Sequence, residues 1–339
     1  MANVIEVAGL TKYYGKRRGI IDVDFEVREG EVFGFLGPNG AGKTTTIRLL
    51  LGFLRPSGGR ATIFGKDCWT EAPAAHASCS YLAGEPAYWG ELSPAGYFSY
   101  LSRLRGIDRD AWRPLADRLD LDSGTRIRTL SHGNRQKVGL IQAFMGHEPL
   151  LILDEPTTGV DPIMQREFLA LVAEAKAGGR TVFLSSHNLP EVERACDRVG
   201  IIREGQLVDI ASVKELLGEH VRSVNLTLAT RPPGDPFDLP DVQVLDTTGT
   251  DFHLMVQGDL NPFLDRVATL DVRDMSMTTP DIEDVFLHFY GTNRNGDGGA
   301  KPKGAAPMAS GPAVGPDDRA PEASPATEPP SRETEEMRR

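Results

Sequence analysis

The sequence predicts an α/β protein built on a parallel sheet with helices between its strands. Three observations predict it. A glycine-rich segment, GPNGAGKT at Gly37–Thr44, separates a strand-like apolar run (Val32, Phe33, Phe35, Leu36) from a stretch with Ile47, Leu50, Leu51 and Leu54 at helical spacing. Two further runs, LLILDEP (Leu150–Pro156) and TVFLSSH (Thr181–His187), are short, apolar and end in polar residues, as strands buried on both faces do. Open parallel sheets bind ligands beyond the carboxyl ends of their strands, so the three runs should deliver Lys43, Asp154 with Glu155, and His187 to one edge.

The remaining elements follow in chain order. Ahead of the core, Val23, Phe25 and Val27 alternate with polar residues, which predicts an N-terminal antiparallel β-subdomain. From Pro94 to Asp120 the period becomes helical, with Tyr97, Phe98, Leu101 and Leu104 on one stripe and Leu115 and Leu119 on the next. This is a helical insertion, placed at about residues 90–135 of a first domain spanning 1–218. Beyond Gly218 the alternation of Val224, Leu226 and Leu228, and of Phe252, Leu254 and Val256, predicts strands. A helix should open at Thr279 as N-cap with Pro280 in its first turn and Ile282, Val285, Phe286 and Phe289 on one face. Residues 219–291 thus read as a small C-terminal α+β domain. Residues 292–339 are rich in Gly, Pro, Ala, Ser and charge, cannot offset their ordering entropy by burial, and read as a disordered tail.

Composition narrows the function. A formal net charge of -11 provides no basic face for a nucleic acid, and Lys16, Arg17 and Arg18, a tight basic cluster, fit a solvated loop. No stretch approaches the ~20 apolar residues of a membrane-spanning helix, and the N-terminus lacks a signal-peptide pattern, so the chain is expected in the cytoplasm. Cys68, Cys79 and Cys196 have no metal-ligand spacing and read as reduced thiols in packing positions.

GPNGAGKT fits the pattern G-x-x-x-x-G-K-[ST]. Such a loop (Gly37, Pro38, Asn39, Gly40, Ala41, Gly42, Lys43, Thr44, with Thr45 following) turns backbone N–H groups onto phosphate at a helix N-terminus. Lys43 reaches the β/γ-phosphates, and Thr44 offers its hydroxyl to Mg²⁺. The expected ligand is therefore a nucleoside triphosphate with Mg²⁺, on a P-loop NTPase core. In LSHGNRQKV (Leu130–Val138), Ser131 and Gly133 present a hydroxyl and a bare backbone at another helix N-terminus, a second anion site in the same chain.

With these pieces in order, the chain resembles the nucleotide-binding subunit of an ATP-binding-cassette (ABC) transporter, of the drug-exporter branch whose ATPase is separate from its membrane partner. The resemblance covers Val4 to Ala211 through its motifs and extends more weakly to Tyr290. It implies that Asp154 holds Mg²⁺ together with Thr44, that Glu155 is the general base for the attacking water, and that His187 is the switch histidine at the γ-phosphate. It implies that LSHGN stands for the family signature, usually LSGGQ, so that ATP lies between one subunit's P-loop and the Ser131 and Gly133 of a second, with His132 and Asn134 departing from the common pattern. GVDP (Gly159–Pro162) resembles the D-loop, whose Asp161 meets the opposite subunit, and Tyr14 matches the residue that stacks on adenine, with Tyr13 the weaker candidate.

The resemblance also implies the partners: a second nucleotide-binding subunit in an ATP-dependent dimer, and an integral membrane permease at the inner face of the cell membrane, exporting a drug-like or lipid-like substrate. The segment YLAGEPAYWGELS (Tyr81–Ser93) resembles the family's Q-loop, but Gly84 stands where glutamine is expected and Glu85 follows it. Tyr88 and Trp89 are the residues expected to meet the permease, while Tyr97, Phe98 and Leu101 are expected in the core of the insertion. Two alternatives stand beside this reading: a soluble ABC-type ATPase acting on ribosomes or DNA, and a regulatory module that binds ATP without turnover.

Overall fold

The computed structural model describes residues 2–213, 222–232, 234, 236–278 and 280. Strands β1 (Asn3–Tyr14) and β2 (Arg17–Arg28) form an antiparallel hairpin, with Val23, Phe25 and Val27 all buried, as their alternation demands. Lys16 lies in its turn, and Arg17 and Arg18 pair with Tyr14 and Tyr13 at its tip. Strand β3 (Val32–Leu36) follows, every residue of it buried, and helix α1 (Lys43–Leu50) leaves the glycine-rich turn after it. Strands β4 (Gly58–Ile63) and β5 (Lys66–Asp67) complete a four-stranded antiparallel sheet of order β2-β1-β4-β5.

Next come α2 (Ala72–His76), β6 (Cys79–Leu82), and the insertion helices α3 (Pro94–Arg105) and α4 (Arg113–Arg118). The chain then runs through α5 (His132–Phe144), β7 (Leu150–Asp154), α6 (Pro162–Ala177), β8 (Thr181–Ser186), α7 (Leu189–Ala195), β9 (Arg198–Arg203) and β10 (Gln206–Ser212). The six-stranded sheet has order β10-β9-β3-β8-β7-β6, parallel from β9 to β6, with β10 as an antiparallel edge. Strands β3, β7 and β8 are neighbours in its middle and are buried along their whole length, so the three apolar runs end side by side. Phe25 of the antiparallel sheet stacks on Phe33 and Phe183 of the parallel one at 5.7 and 5.9 Å between ring centres, which joins the two sheets in one core.

The insertion buries Phe98, Tyr97 and Trp112 against α5 and α6. One residue of the expected stripe departs: Leu104 is 70% exposed. The buried face of α3 runs through Phe98, Leu101 and Ser102, and Leu104 falls in the last turn before Gly106 ends the helix with positive φ. The cysteines are free, as expected, and burial pushes the Cys68 and Cys79 thiols up to about 12.

The C-terminal strands β11 (Arg222–Leu228), β12 (Val242–Thr248) and β13 (Asp251–Val256), helix α8 (Asn261–Ala268) and strand β14 (Val272–Thr278) form an antiparallel sheet of order β12-β13-β11-β14. The alternating Val224, Leu226, Leu228, Phe252, Leu254 and Val256 close a core of their own with Phe237, Phe263 and Val267. The helix expected from Thr279 and the tail 292–339 lie outside the described residues, as does the boundary at Gly218. No helix among the described residues is long and apolar enough to cross a membrane.

Candidate functional site

The site grows from the end of β3. Gly37 donates its N–H to Ser186 O of β8 at 3.2 Å, and a Cβ there would lie 2.4 Å from Ile202 O, so only glycine fits so close to β9. Gly42 has φ 117 and a Cβ on it would meet Ile20 at 2.7 Å, which explains the second glycine of the motif. Gly42 is also the N-cap of α1, and it leaves the first amides of that helix without a side-chain acceptor, a backbone arrangement that suits an anion. Lys43, only 5% exposed, folds its ammonium back on the loop and donates to Gly37 O at 2.5 Å and to Pro38 O at 3.1 Å.

The same ammonium lies 3.1 Å from Glu155 Oε1. Glu155 follows the last residue of β7 with φ 48, a left-handed backbone that a non-glycine residue seldom adopts and that turns its carboxylate back toward α1. Its N–H donates to Ser185 O at 3.1 Å and is 3.2 Å from Ser185 Oγ. Its other oxygen, Oε2, is 2.6 Å from His187 Nδ1 and accepts from Thr158 Oγ1 at 3.3 Å. Asp154, 2% exposed, accepts from Ser185 Oγ at 2.5 Å and from the Thr44 hydroxyl. Burial pushes its carboxyl above the ordinary range, against the pull of those two hydrogen bonds; the Glu155 charge adds to the rise and Lys43 opposes it.

Lys43, Thr44, Asp154, Glu155 and His187 thus join in one network at the carboxyl edge of the sheet, where their runs were expected to converge. Tyr14 reaches the same region: its hydroxyl is 3.4 Å from Thr45 Oγ1 and its ring is 42% exposed, with Lys12 Nζ 5.6 Å from the ring centre. Ser131, Gly133 and Asp161 belong to other helix N-termini. Ser131 is the N-cap of α5 and accepts from Asn134 N at 3.3 Å, and Gly133 has open space where a Cβ would stand. Asp161 caps α6, accepting from Ile163 N and Met164 N at 2.9 Å each.

Several residues of the site were not singled out from the sequence. Ser185 holds the Asp154 carboxylate with its hydroxyl and accepts the Glu155 backbone N–H, and its position as a polar residue at the end of an apolar strand was a usable signal. Glu191 accepts from Thr157 Oγ1 at 2.7 Å and from Ser186 Oγ, fastening the loops after β7 and β8 to each other; burial raises its carboxyl despite both bonds. Nothing in the sequence marks a first-turn glutamate on α7 for that task. Gly84 lies against this edge as well, and a Cβ on it would be 3.3 Å from Asp154 O, while Glu85 beside it is exposed.

An ammonium in a glycine cradle, a helix N-terminus, and a hydroxyl paired with a buried carboxyl form a donor set that fits a nucleoside triphosphate with a hard divalent cation. Comparison with known proteins agrees. The family model described as "ABC transporter" matches residues 20–158. The chain is 31% identical over 302 residues to the bacitracin transport ATP-binding protein BcrA of Bacillus licheniformis, covering 86% of this chain and 98% of the relative. It is 30% identical to the daunorubicin resistance ATP-binding protein DrrA3 of Streptomyces coeruleorubidus, covering 86% and 96%. A solved ATP-binding subunit of an ABC transporter superposes with TM-score 0.59 at 29% identity over 63% of this chain and 91% of that one. The chain belongs to the ABC transporter family, as an ATP-binding subunit. It is an ATPase that takes ATP with Mg²⁺ and powers a separate membrane permease.

Proposed function

We propose that hydrolysis is carried out by Glu155 as general base, with Lys43 and the loop Gly37–Thr45 binding the phosphates and Thr44 and Asp154 holding Mg²⁺. The observation that carries this reading is the position of Glu155, between the Lys43 ammonium at 3.1 Å and His187 Nδ1 at 2.6 Å. Bound Mg²⁺ supplies charge neutralisation at the β/γ-phosphates. The Glu155 carboxylate takes the proton of the attacking water; Thr158 fixes its orientation, and Ser185 holds the Glu155 backbone. His187 holds Glu155 through Nδ1, which leaves Nε2 for the γ-phosphate. Ser131 and Gly133 complete the site of a second subunit, Asp161 stands in the loop that meets that subunit, and Tyr14 stacks on adenine.

The subunit works on the inner face of the cell membrane and serves export of a drug-like or lipid-like substrate. The relatives' names, one a bacitracin transport protein and the other a daunorubicin resistance protein, support that direction. Residues 1–218 form the ATPase domain, 219–291 the accessory domain and 292–339 a tail outside the catalytic work.

The test is Glu155→Gln. Turnover should fall by about 100-fold or more, the usual range for loss of a general base. ATP binding should persist, so that size-exclusion chromatography in Mg-ATP shows an accumulated dimer. Undiminished turnover would sink the base assignment.

A further inference from the structure

His132 stands where the family signature ordinarily has glycine, and its side chain is engaged. Its Nε2 is 3.3 Å from Thr158 O, and since a carbonyl only accepts, Nε2 carries the donating proton. The ring comes close to Gly159: a Cβ on Gly159 would come within 2.9 Å of Nε2 and 3.0 Å of Cδ2, and Gly159 has φ 73, a turn that favours glycine. One turn further along α5, on the same face, the buried Gln136 donates from Nε2 to Pro156 O at 2.8 Å. The start of α5 therefore grips the loop 156–159 by two carbonyls.

That loop carries the catalytic carboxylate at its beginning. Thr158 accepts His132 on its carbonyl and donates its hydroxyl to Glu155 Oε2 at 3.3 Å. Thr157 ties the loop to Glu191 on the opposite side at 2.7 Å. A continuous path of hydrogen bonds thus runs from the residue next to Ser131, through Thr158, to the oxygen of Glu155 that also contacts His187.

We infer that His132 is a positioning residue for hydrolysis: through Thr158 it makes the orientation of Glu155 depend on the placement of the signature helix in the same subunit. A glycine at 132 has no side chain with which to do this, so the coupling belongs to this chain's own departure from the family pattern. The inference rests on Glu155 being the base.

The test uses the full chain with Mg-ATP and compares His132→Gly, His132→Gln, Thr158→Val and the His132→Gly/Thr158→Val double variant, with Glu155→Gln in parallel. His132→Gly should lower kcat by about five-fold, the worth of one hydrogen bond on a positioned group. KM for ATP and the thermal midpoint should stay near those of the unaltered chain. His132→Gln, whose Nε2 reaches as the imidazole Nε2 does, should restore kcat to within about two-fold. Thr158→Val removes the hydroxyl and keeps the carbonyl, so it should match His132→Gly, and the double variant should cost no more than either single one, as residues acting in series do. An unchanged kcat in His132→Gly beside an inactive Glu155→Gln overturns the inference alone. A joint loss of kcat, ATP affinity and thermal midpoint that Gln does not rescue also overturns it, in favour of plain folding support. An active Glu155→Gln removes the base reading itself.

Discussion

Lys43 Nζ and Glu155 Oε1 form an ion pair 3.1 Å apart, with side chains only 5% and 17% exposed. Each charge has been largely taken out of water, and each offsets the other's desolvation. The pair also fixes where incoming phosphate must compete, because the ammonium that phosphate needs is already held by the carboxylate and by two carbonyls of its own loop.

Lys43→Ala should therefore remove more than a phosphate contact. It leaves Glu155 as a largely buried anion without its cation and opens the cradle that Lys43 braces through Gly37 O and Pro38 O. The expected outcome is loss of ATP binding and turnover. Thermal denaturation with and without Mg-ATP checks it: ATP should raise the midpoint of the unaltered chain by mass action and leave that of the variant in place. An equal rise in both would show that Lys43 is dispensable for binding.

Tyr14 should matter for affinity and little for folding. Its ring is 42% exposed, so its loss opens no cavity, and its hydroxyl is 3.4 Å from Thr45 just past the glycine loop. Stacking a base on an aromatic ring is worth about 1–3 kcal/mol by alanine substitution. Tyr14→Ala should weaken ATP binding by about five-fold or more, whereas Tyr14→Phe keeps the ring and should bind nearly as the unaltered chain does. Titration with ATP separates the two, and a Phe variant as weak as Ala would assign the effect to the hydroxyl.

How much of this was legible in the sequence depends on the range of the signal. Val32–Leu36, Leu150–Asp154 and Thr181–Ser186 are contiguous apolar runs, and burial on both faces writes itself into composition, so the middle of the sheet and its catalytic edge could be read directly. Leu104 could not, because helical period fixes a direction and says nothing about where neighbouring elements stop. Glu191 and Thr158 act through partners 34 and 3 residues away, in geometry created by the left-handed turn at Glu155, and no local pattern announces such a turn at a non-glycine residue. His132 was visible only as a departure from a motif. Its contact with Thr158 depends on α5 meeting the loop after β7.

Glu191 carries a pH dependence. Its carboxyl is raised above 4.5, first by burial, which outweighs the hydrogen bonds from Ser186 and Thr157. A raised carboxyl means that the folded chain holds its proton more tightly than the unfolded one. The associated stability is full below about 4.5 and is lost as pH rises through the folded value. Glu191→Gln is neutral throughout and escapes that loss. The midpoint of the variant minus that of the unaltered chain should therefore increase from pH 5 to pH 8. Thermal scans at both pH values check it, and a difference that stays flat or falls would mean that the carboxyl is not strained by burial.

The aromatic pair Tyr88 and Trp89 was expected to meet the permease together, and the structure separates them. Tyr88 turns inward: its hydroxyl donates to Arg135 O at 3.0 Å, its ring meets Tyr97 edge-on at 5.6 Å, and burial raises its phenol far above the usual value. It also lies so close to α5 that a Cβ on Gly139 would stand 2.7 Å from its oxygen. Trp89 turns outward, 55% exposed, resting edge-on against Tyr100 at 4.9 Å. Truncating the two should therefore have opposite consequences. Tyr88→Ala removes a packed ring and orphans a carbonyl, and should cost about 3 kcal/mol of stability, measured by urea denaturation. Trp89→Ala should fall within about 0.5 kcal/mol of the unaltered chain and leave the ATPase rate of the free subunit unchanged. Exposed tryptophans anchor interfaces, so the same variant should lose association with permease-containing membranes, measured by co-sedimentation. If Trp89→Ala still sediments with those membranes and supports full transport, Trp89 is not the anchor; if it unfolds the subunit, its role lies in the core that Tyr88 and Tyr97 share.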